Sequence, residues 1–201
     1  MKELHYFDRF WRGEIPDDFV ERYHEFCPRP EGAITGEWTP RYMFDHWSMR
    51  LLHEAAPEAR ILVILRDPIE RFRSGLTMDK GFSLSAGKDL DRLATALARS
   101  AYADQLRRVF QFYPRDRVLV LQYERCTTDP VGEILRTWEF LELDPGSTPP
   151  TRPPEDVRPP SQKPDLSPDL RSDLLGRLRH DVDEVAELCP EIDVSLWKNF
   201  G

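Results

Sequence analysis

Residues 61–74, Ile61-Leu-Val-Ile-Leu65-Arg66-Asp67-Pro68-Ile-Glu70-Arg-Phe-Arg-Ser74, pass from five aliphatic residues through a polar turn into a helical pattern. A short, unbroken apolar run of this kind is what a strand buried in a parallel sheet presents. Asp67 as N-cap, Pro68 at the first helical position and Glu70 at the third predict a helix that starts directly at the strand end. Arg66 then leaves the carboxyl end of the strand, where open α/β sheets bind ligands. Asp67 and Ser74 are two helical turns apart, so the Ser74 hydroxyl is expected on the face that begins at the strand end, and one phosphate could reach both Arg66 and Ser74. The competing reading is a surface Arg66–Asp67 pair, with Ser74 bonding its own helix carbonyl four residues back.

Working outward, Ala33–Trp38 reads as a short strand, Asp45 as the N-cap of a helix running to Ala56, and Pro57 as its end. Leu93–Phe112 has apolar residues at helical spacing and closes at Pro114, Val118–Leu121 is a second buried-strand pattern, and Val131–Leu141 is a helix. Residues 79–90 read as a polar surface loop. The stretch 145–168 holds nine of the 18 prolines, so it is neither helix nor central strand. Ser167 and Pro168 open a last amphipathic helix, 168–188, which Pro190 stops. Alternating strands and helices predict α/β, and 201 residues suit one domain over 1–201.

Composition narrows the function. Charged residues make up 32% and the net charge is -8, which disfavours a nucleic-acid partner, because phosphate neutralisation needs a basic surface. The longest aliphatic run is five residues, against about 20 for a membrane-spanning helix. No apolar signal-like segment opens the chain, so the expected address is cytoplasmic. Cys27, Cys126 and Cys189 are an odd number at wide spacings, which argues against a disulfide framework. His24-x-x-Cys27 and the His46/His53 pair lack further ligands at metal spacing, so no metal is expected. Gly87-Lys88 resembles the end of a Walker A loop, but Phe82 and Asp89 stand where that motif needs Gly and Ser or Thr.

Three further stretches could carry chemistry. In Lys2-Glu3-Leu4-His5-Tyr6-Phe7-Asp8 an extended backbone puts Glu3 and His5 on one face, a carboxylate base with an imidazole beside it; a solvated charged terminus is the alternative. Gly36-Glu37-Trp38-Thr39-Pro40-Arg41-Tyr42 aims polar and aromatic groups from a strand end, and a plain strand-to-loop transition explains it equally well. Tyr123 and Glu124 end the second apolar strand and suit a structural role.

Taken together, residues 2–8, 36–42, 61–74 and 102–124, with Phe140-Leu141, resemble the PAPS-dependent sulfotransferases, in particular the heparan sulfate sulfotransferase-like branch and its bacterial relatives. The resemblance implies a P-loop-NTPase-like parallel sheet flanked by helices. It implies that Arg66 and Ser74 bind the 3′-phosphate of PAPS or its product PAP, that Glu3 is the general base, and that His5 and Asp8 line the acceptor site. A basic loop late in the chain would close over the nucleotide, with Lys163, or Arg158, as its counterpart. In-line sulfuryl transfer to a hydroxyl or amine would need no metal.

The chain departs from the family at two points. Trp38 stands where the family carries a Lys near the sulfonate, and Arg41 is the candidate replacement. The family's first strand and its 5′-phosphosulfate loop have no counterpart here, which leads to the expectation of a piece of a longer protein with the N-terminal strand missing. A base at residue 3 would also lie on a fraying end. The expected function is transfer from PAPS to a small-molecule, lipid or carbohydrate acceptor. The alternative is an inactive PAP-binding module, and a P-loop kinase is disfavoured by the missing Walker A lysine loop. The acceptor and the oligomeric state are not written in the sequence.

Overall fold

The computed structural model describes residues 3–77, 90–144 and 163–201. The polar loop at 79–89, the Gly87-Lys88 dipeptide, Arg158 and the Pro-rich stretch up to residue 162 lie outside them. The chain divides into two compact units, one built from residues 1–61 and 105–118, the other from 62–104 and 119–201.

In the first unit, α1 (Phe19–Phe26), α2 (Arg41–Phe44) and α3 (Ser48–Ala55) form a small helical cluster, α1 and α2 both packing on α3. Its core is aromatic. The Phe7 ring meets Tyr23 at 4.7 Å and Tyr42 at 5.3 Å between centroids, and Tyr6 packs edge-on against Phe7. Trp47 donates its indole N–H to the Phe7 carbonyl at 2.9 Å. Two sequence expectations fail in this unit. Ala33–Trp38 is not a strand: Ile34 and Trp38 are exposed, and Glu37 turns inward to accept side-chain hydrogen bonds instead of alternating along a ladder. Asp45 does not open the next helix either. It closes α2, its buried carboxylate accepting from Arg41 Nε at 2.8 Å, and α3 starts three residues later at Ser48.

The second unit carries the sheet. Strands β1 (Ile61–Leu65) and β2 (Val118–Gln122) pair in parallel, as their aliphatic runs predict. The unit also holds α4 (Pro68–Leu76), α5 (Leu90–Ala98), the first two residues of α6 (Ala103–Phe112), α7 (Tyr123–Thr128), α8 (Pro130–Phe140) and α9 (Pro168–Leu188). The architecture is α/β, as expected. α4 packs on α5 and α9, burying Phe72 and Leu76, while α9 buries Leu174, Leu178, Val182 and Val185 at helical spacing. Ser167 caps α9 by accepting from the Leu170 N–H, and Asp129 caps α8 through the Gly132 N–H.

The predicted helix over 93–112 is instead two helices. The chain leaves helical geometry around residues 99–102, and the carboxylate of Asp181 on α9 accepts the Tyr102 and Ala103 N–H groups at 2.7 and 2.9 Å. Asp181 thereby caps the start of α6 from a remote helix, which periodicity within residues 93–112 does not reveal.

Candidate functional site

In the second unit the turn after β1 forms as its sequence predicts. Asp67 Oδ1 accepts the Ile69 and Glu70 N–H groups at 2.9 and 3.1 Å, and Pro68 occupies the first helical position. The second carboxylate oxygen accepts both the backbone N–H and the side-chain amide of Asn199, at 3.1 and 2.8 Å. Asp67 is therefore a fully used cap that also ties down the C-terminal segment. It is not the partner of Arg66 that the surface-pair reading requires.

Arg66 lies over the Tyr123 ring at 4.4 Å, and its guanidinium is 3.9 Å from Glu70 Oε2. The Tyr102 hydroxyl donates to the Arg66 carbonyl at 3.1 Å. Arg66 Nε is buried with no hydrogen-bond partner. Glu124 acts structurally, accepting from the Asp67 N–H at 3.0 Å and from the Trp197 indole at 3.1 Å. Ser74 lies half-buried on α4. Ser100 and Thr137 bond the carbonyl four residues back, at 2.8 and 2.7 Å, but the Ser74 hydroxyl makes no such bond.

Glu70, which in the sequence signals only a helix start, is the hub of this region. Its carboxylate accepts from Lys163 Nζ at 2.7 Å and from Arg73 at 3.0 Å, and Lys198 lies 3.3 Å away. Burial opposes ionisation of Glu70, yet the bonds from Lys163 and Arg73 prevail and hold its pKa down at about 2. Four cations, Arg66, Arg73, Lys163 and Lys198, thus converge on one carboxylate. The excess of positive charge and the partnerless Arg66 Nε suit a bound phosphate group. The i,i+3 spacing of Glu70 and Arg73 is a signal for their pair, whereas nothing local announces Lys198.

The first unit holds the other predicted residues. His5 Nε2 is 2.9 Å from Glu3 Oε2 and its Nδ1 is 2.8 Å from Asp8 Oδ2, so the imidazole links both carboxylates. The bond to Asp8 is the main influence raising the His5 pKa, partly opposed by desolvation, and Glu3 adds to it. His5 adopts φ 52°, in the left-handed region, so the two side chains meet around a turned residue and not along the extended backbone that the sequence suggests. Arg41 lies 2.8 Å from Asp45 and 3.6 Å from Asp8. Trp38 is exposed. The structure therefore brings Glu3, His5, Asp8 and Arg41 together in one unit and Arg66 and Lys163 in the other, with Ser74 two turns along α4. Among the described residues there is no cluster of three or more His, Cys, Asp or Glu suited to a metal ion, and no helix is long and apolar enough to cross a membrane.

A strand end that opens on a capped helix and a cation cluster places the chain among the open α/β folds that bind anionic groups at this position. The sulfotransferase domain model matches residues 31–156, more than half of the chain, and the protein belongs to that family. Its relatives include heparan sulfate glucosamine 3-O-sulfotransferase 6 of Homo sapiens, 30% identical over 154 residues, and 3-O-sulfotransferase 3A1 of Mus musculus, 27% identical. These matches cover 70% of this chain but only 43% and 38% of the relatives, so the chain spans less than half their length. The crystal structure of a sulfotransferase from Alicyclobacillus acidocaldarius superposes with a TM-score of 0.71 at 26% identity, over 98% of this chain and 86% of that one.

Proposed function

We propose that this protein is a PAPS-dependent sulfotransferase and that its acceptor is a carbohydrate hydroxyl or amine. Among the small-molecule, lipid and carbohydrate acceptors expected from sequence, the relatives named for heparan sulfate glucosamine favour the last. The observation that carries the reading is the Glu3–His5–Asp8 cluster, a carboxylate base held by an imidazole that a second carboxylate orients. Bound PAPS supplies the sulfuryl group.

In this reading Glu3 takes the acceptor proton, His5 fixes the orientation of Glu3, and Asp8 fixes the His5 ring. Arg66 and Ser74 hold the 3′-phosphate, and Lys163 adds charge from the segment before α9. Arg41 and Trp38 border the acceptor side. Arg41 is engaged by Asp45 and Asp8, so it substitutes only in part for the lysine that the family carries at the Trp38 position. We further propose that residues 1–201 act as one domain in the reaction, and that no nucleic acid takes part.

The test combines a thermal melt with and without PAP and a sulfuryl-transfer assay on glucosamine-containing oligosaccharides. A melting temperature raised by PAP in the parent and less so in Arg66→Ala, with kcat lowered at least about 10²-fold in Glu3→Gln, supports the proposal. A PAP shift without transfer to any acceptor would favour a nucleotide-binding module, and no PAP shift would refute the assignment of Arg66.

A further inference from the structure

Four consecutive backbone N–H groups next to Glu3 end on two hydroxyls. Leu4 and His5 donate to Thr39 Oγ1 at 3.2 and 3.3 Å, and Tyr6 and Phe7 donate to the Tyr42 hydroxyl at 2.7 and 3.4 Å. Both hydroxyls donate onward to the same oxygen, Glu37 Oε2, at 2.9 and 3.3 Å. A hydroxyl has a single proton, so committing it to Glu37 leaves each oxygen facing the amides as an acceptor only. Removing Glu37 frees those protons to turn elsewhere and leaves the amides competing with them.

The surroundings suit this role. Thr39 and Tyr42 are buried, and Glu37 is half-buried with its Oε1 atom closed off from solvent. Desolvation pushes the Glu37 pKa up, while the bonds from Thr39, Tyr23 and Tyr42 counter it. His5, in the middle of the tethered run, has the left-handed φ of 52°, a conformation that persists where neighbouring bonds over-determine it. No step of the proposed transfer uses Glu37.

We propose that Glu37, acting through Thr39 and Tyr42, is the positioning residue for the run Leu4–Phe7, and through it for Glu3 and His5. The functional consequence rests on the reading of Glu3 as the base; the structural one does not. The base and its imidazole are thus held through four amides, two buried hydroxyls and one half-buried carboxylate.

Amide hydrogen exchange on the full chain tests the proposal apart from activity. In Glu37→Ala and Thr39→Val the Leu4 and His5 amides should exchange at least about tenfold faster, with α1 and α3 keeping their rates, and the His5 titration should move down toward its ordinary value. Glu37→Gln and Thr39→Ser, which keep an acceptor and a hydroxyl respectively, should stay within about threefold of the parent. Unchanged exchange at residues 4–7, or an equal loss across α1 and α3, would overturn the proposal. If Glu37→Ala does not fold, the Thr39 pair decides: equal exchange in the valine and serine variants overturns it. Where the parent transfers sulfuryl groups, Glu37→Ala should lower kcat at least about tenfold with the KM for PAPS unchanged. Loosened amides with an unchanged kcat would also refute positioning. If the parent transfers none, the functional reading falls and the exchange result still decides the structural role.

Discussion

The Glu3–His5 cluster and the Glu70 hub are both charged arrangements, and they are built in opposite ways. The first links residues within six positions of one another, leaves His5 half exposed, and rests on neutral hydroxyls that a half-buried carboxylate orders. The second gathers cations from positions 66, 73, 163 and 198 around one largely buried carboxylate. A cluster built locally keeps its groups adjustable and titratable near neutrality. A hub built from remote segments depends on the fold of its unit, and in return it concentrates charge at the end of a strand.

The sharpest way to break the comparison is to remove the group that should matter for chemistry alone. Glu3→Gln is expected to lower kcat by about 10²- to 10⁴-fold, the usual contribution of a general base, while leaving PAP affinity within twofold or so. Steady-state kinetics alongside PAP titration checks this, and a comparable loss of PAP affinity would show that the two regions do not divide the work as argued. Arg66→Ala should do the reverse. Loss of a charged hydrogen-bond donor weakens PAP binding by about 10- to 100-fold, corresponding to about 1.4–2.7 kcal/mol, and leaves the His5 titration where it is.

The same contrast explains what could be read from the chain. Asp67-Pro68 and its preceding aliphatic run announced their own geometry, because a capped helix start is a matter of residues two or three apart. Glu3, His5 and Asp8 were legible for the same reason, although the left-handed turn at His5 was not. Glu37 lies in the 36–42 stretch that the sequence marks as polar and aromatic, but its bond to the Tyr42 hydroxyl arises only when α2 forms. The hub reads only in part: Glu70 and Arg73 are one turn apart, whereas Lys198 is 128 positions from Glu70, and only the packing of the C-terminal segment, with Asn199 on Asp67, brings them together. The break in the 93–112 helix has the same origin, a cap supplied by Asp181 from another helix.

Acid should separate the two regions further. Because Glu70 is held at about 2, well below its unfolded value of 4.5, its ion pairs stabilise the second unit fully above that value and lose their effect as pH falls from about 4.5 through about 2. Melting temperatures followed across this window should drop more steeply for the parent than for Glu70→Gln, which carries no carboxylate to protonate. Parallel curves for the two proteins would show that the hub contributes nothing to stability.

His5 gives the smallest effect, with the opposite sign. Its pKa is raised in the folded chain, so the bonds to Asp8 and Glu3 add stability below the ordinary value of 6.5 and lose it as pH rises through the elevated one. Since the imidazole is half exposed, solvent screens these pairs and the change in stability is small, but the titration itself is readily followed by the ring resonances. Asp8→Asn should lower the His5 midpoint more than Glu3→Gln does, because the bond to Asp8 is the larger influence. An equal shift in both variants would mean that the imidazole is shared evenly between the two carboxylates, and Asp8 would then lose its role as the group that orients the ring toward the base.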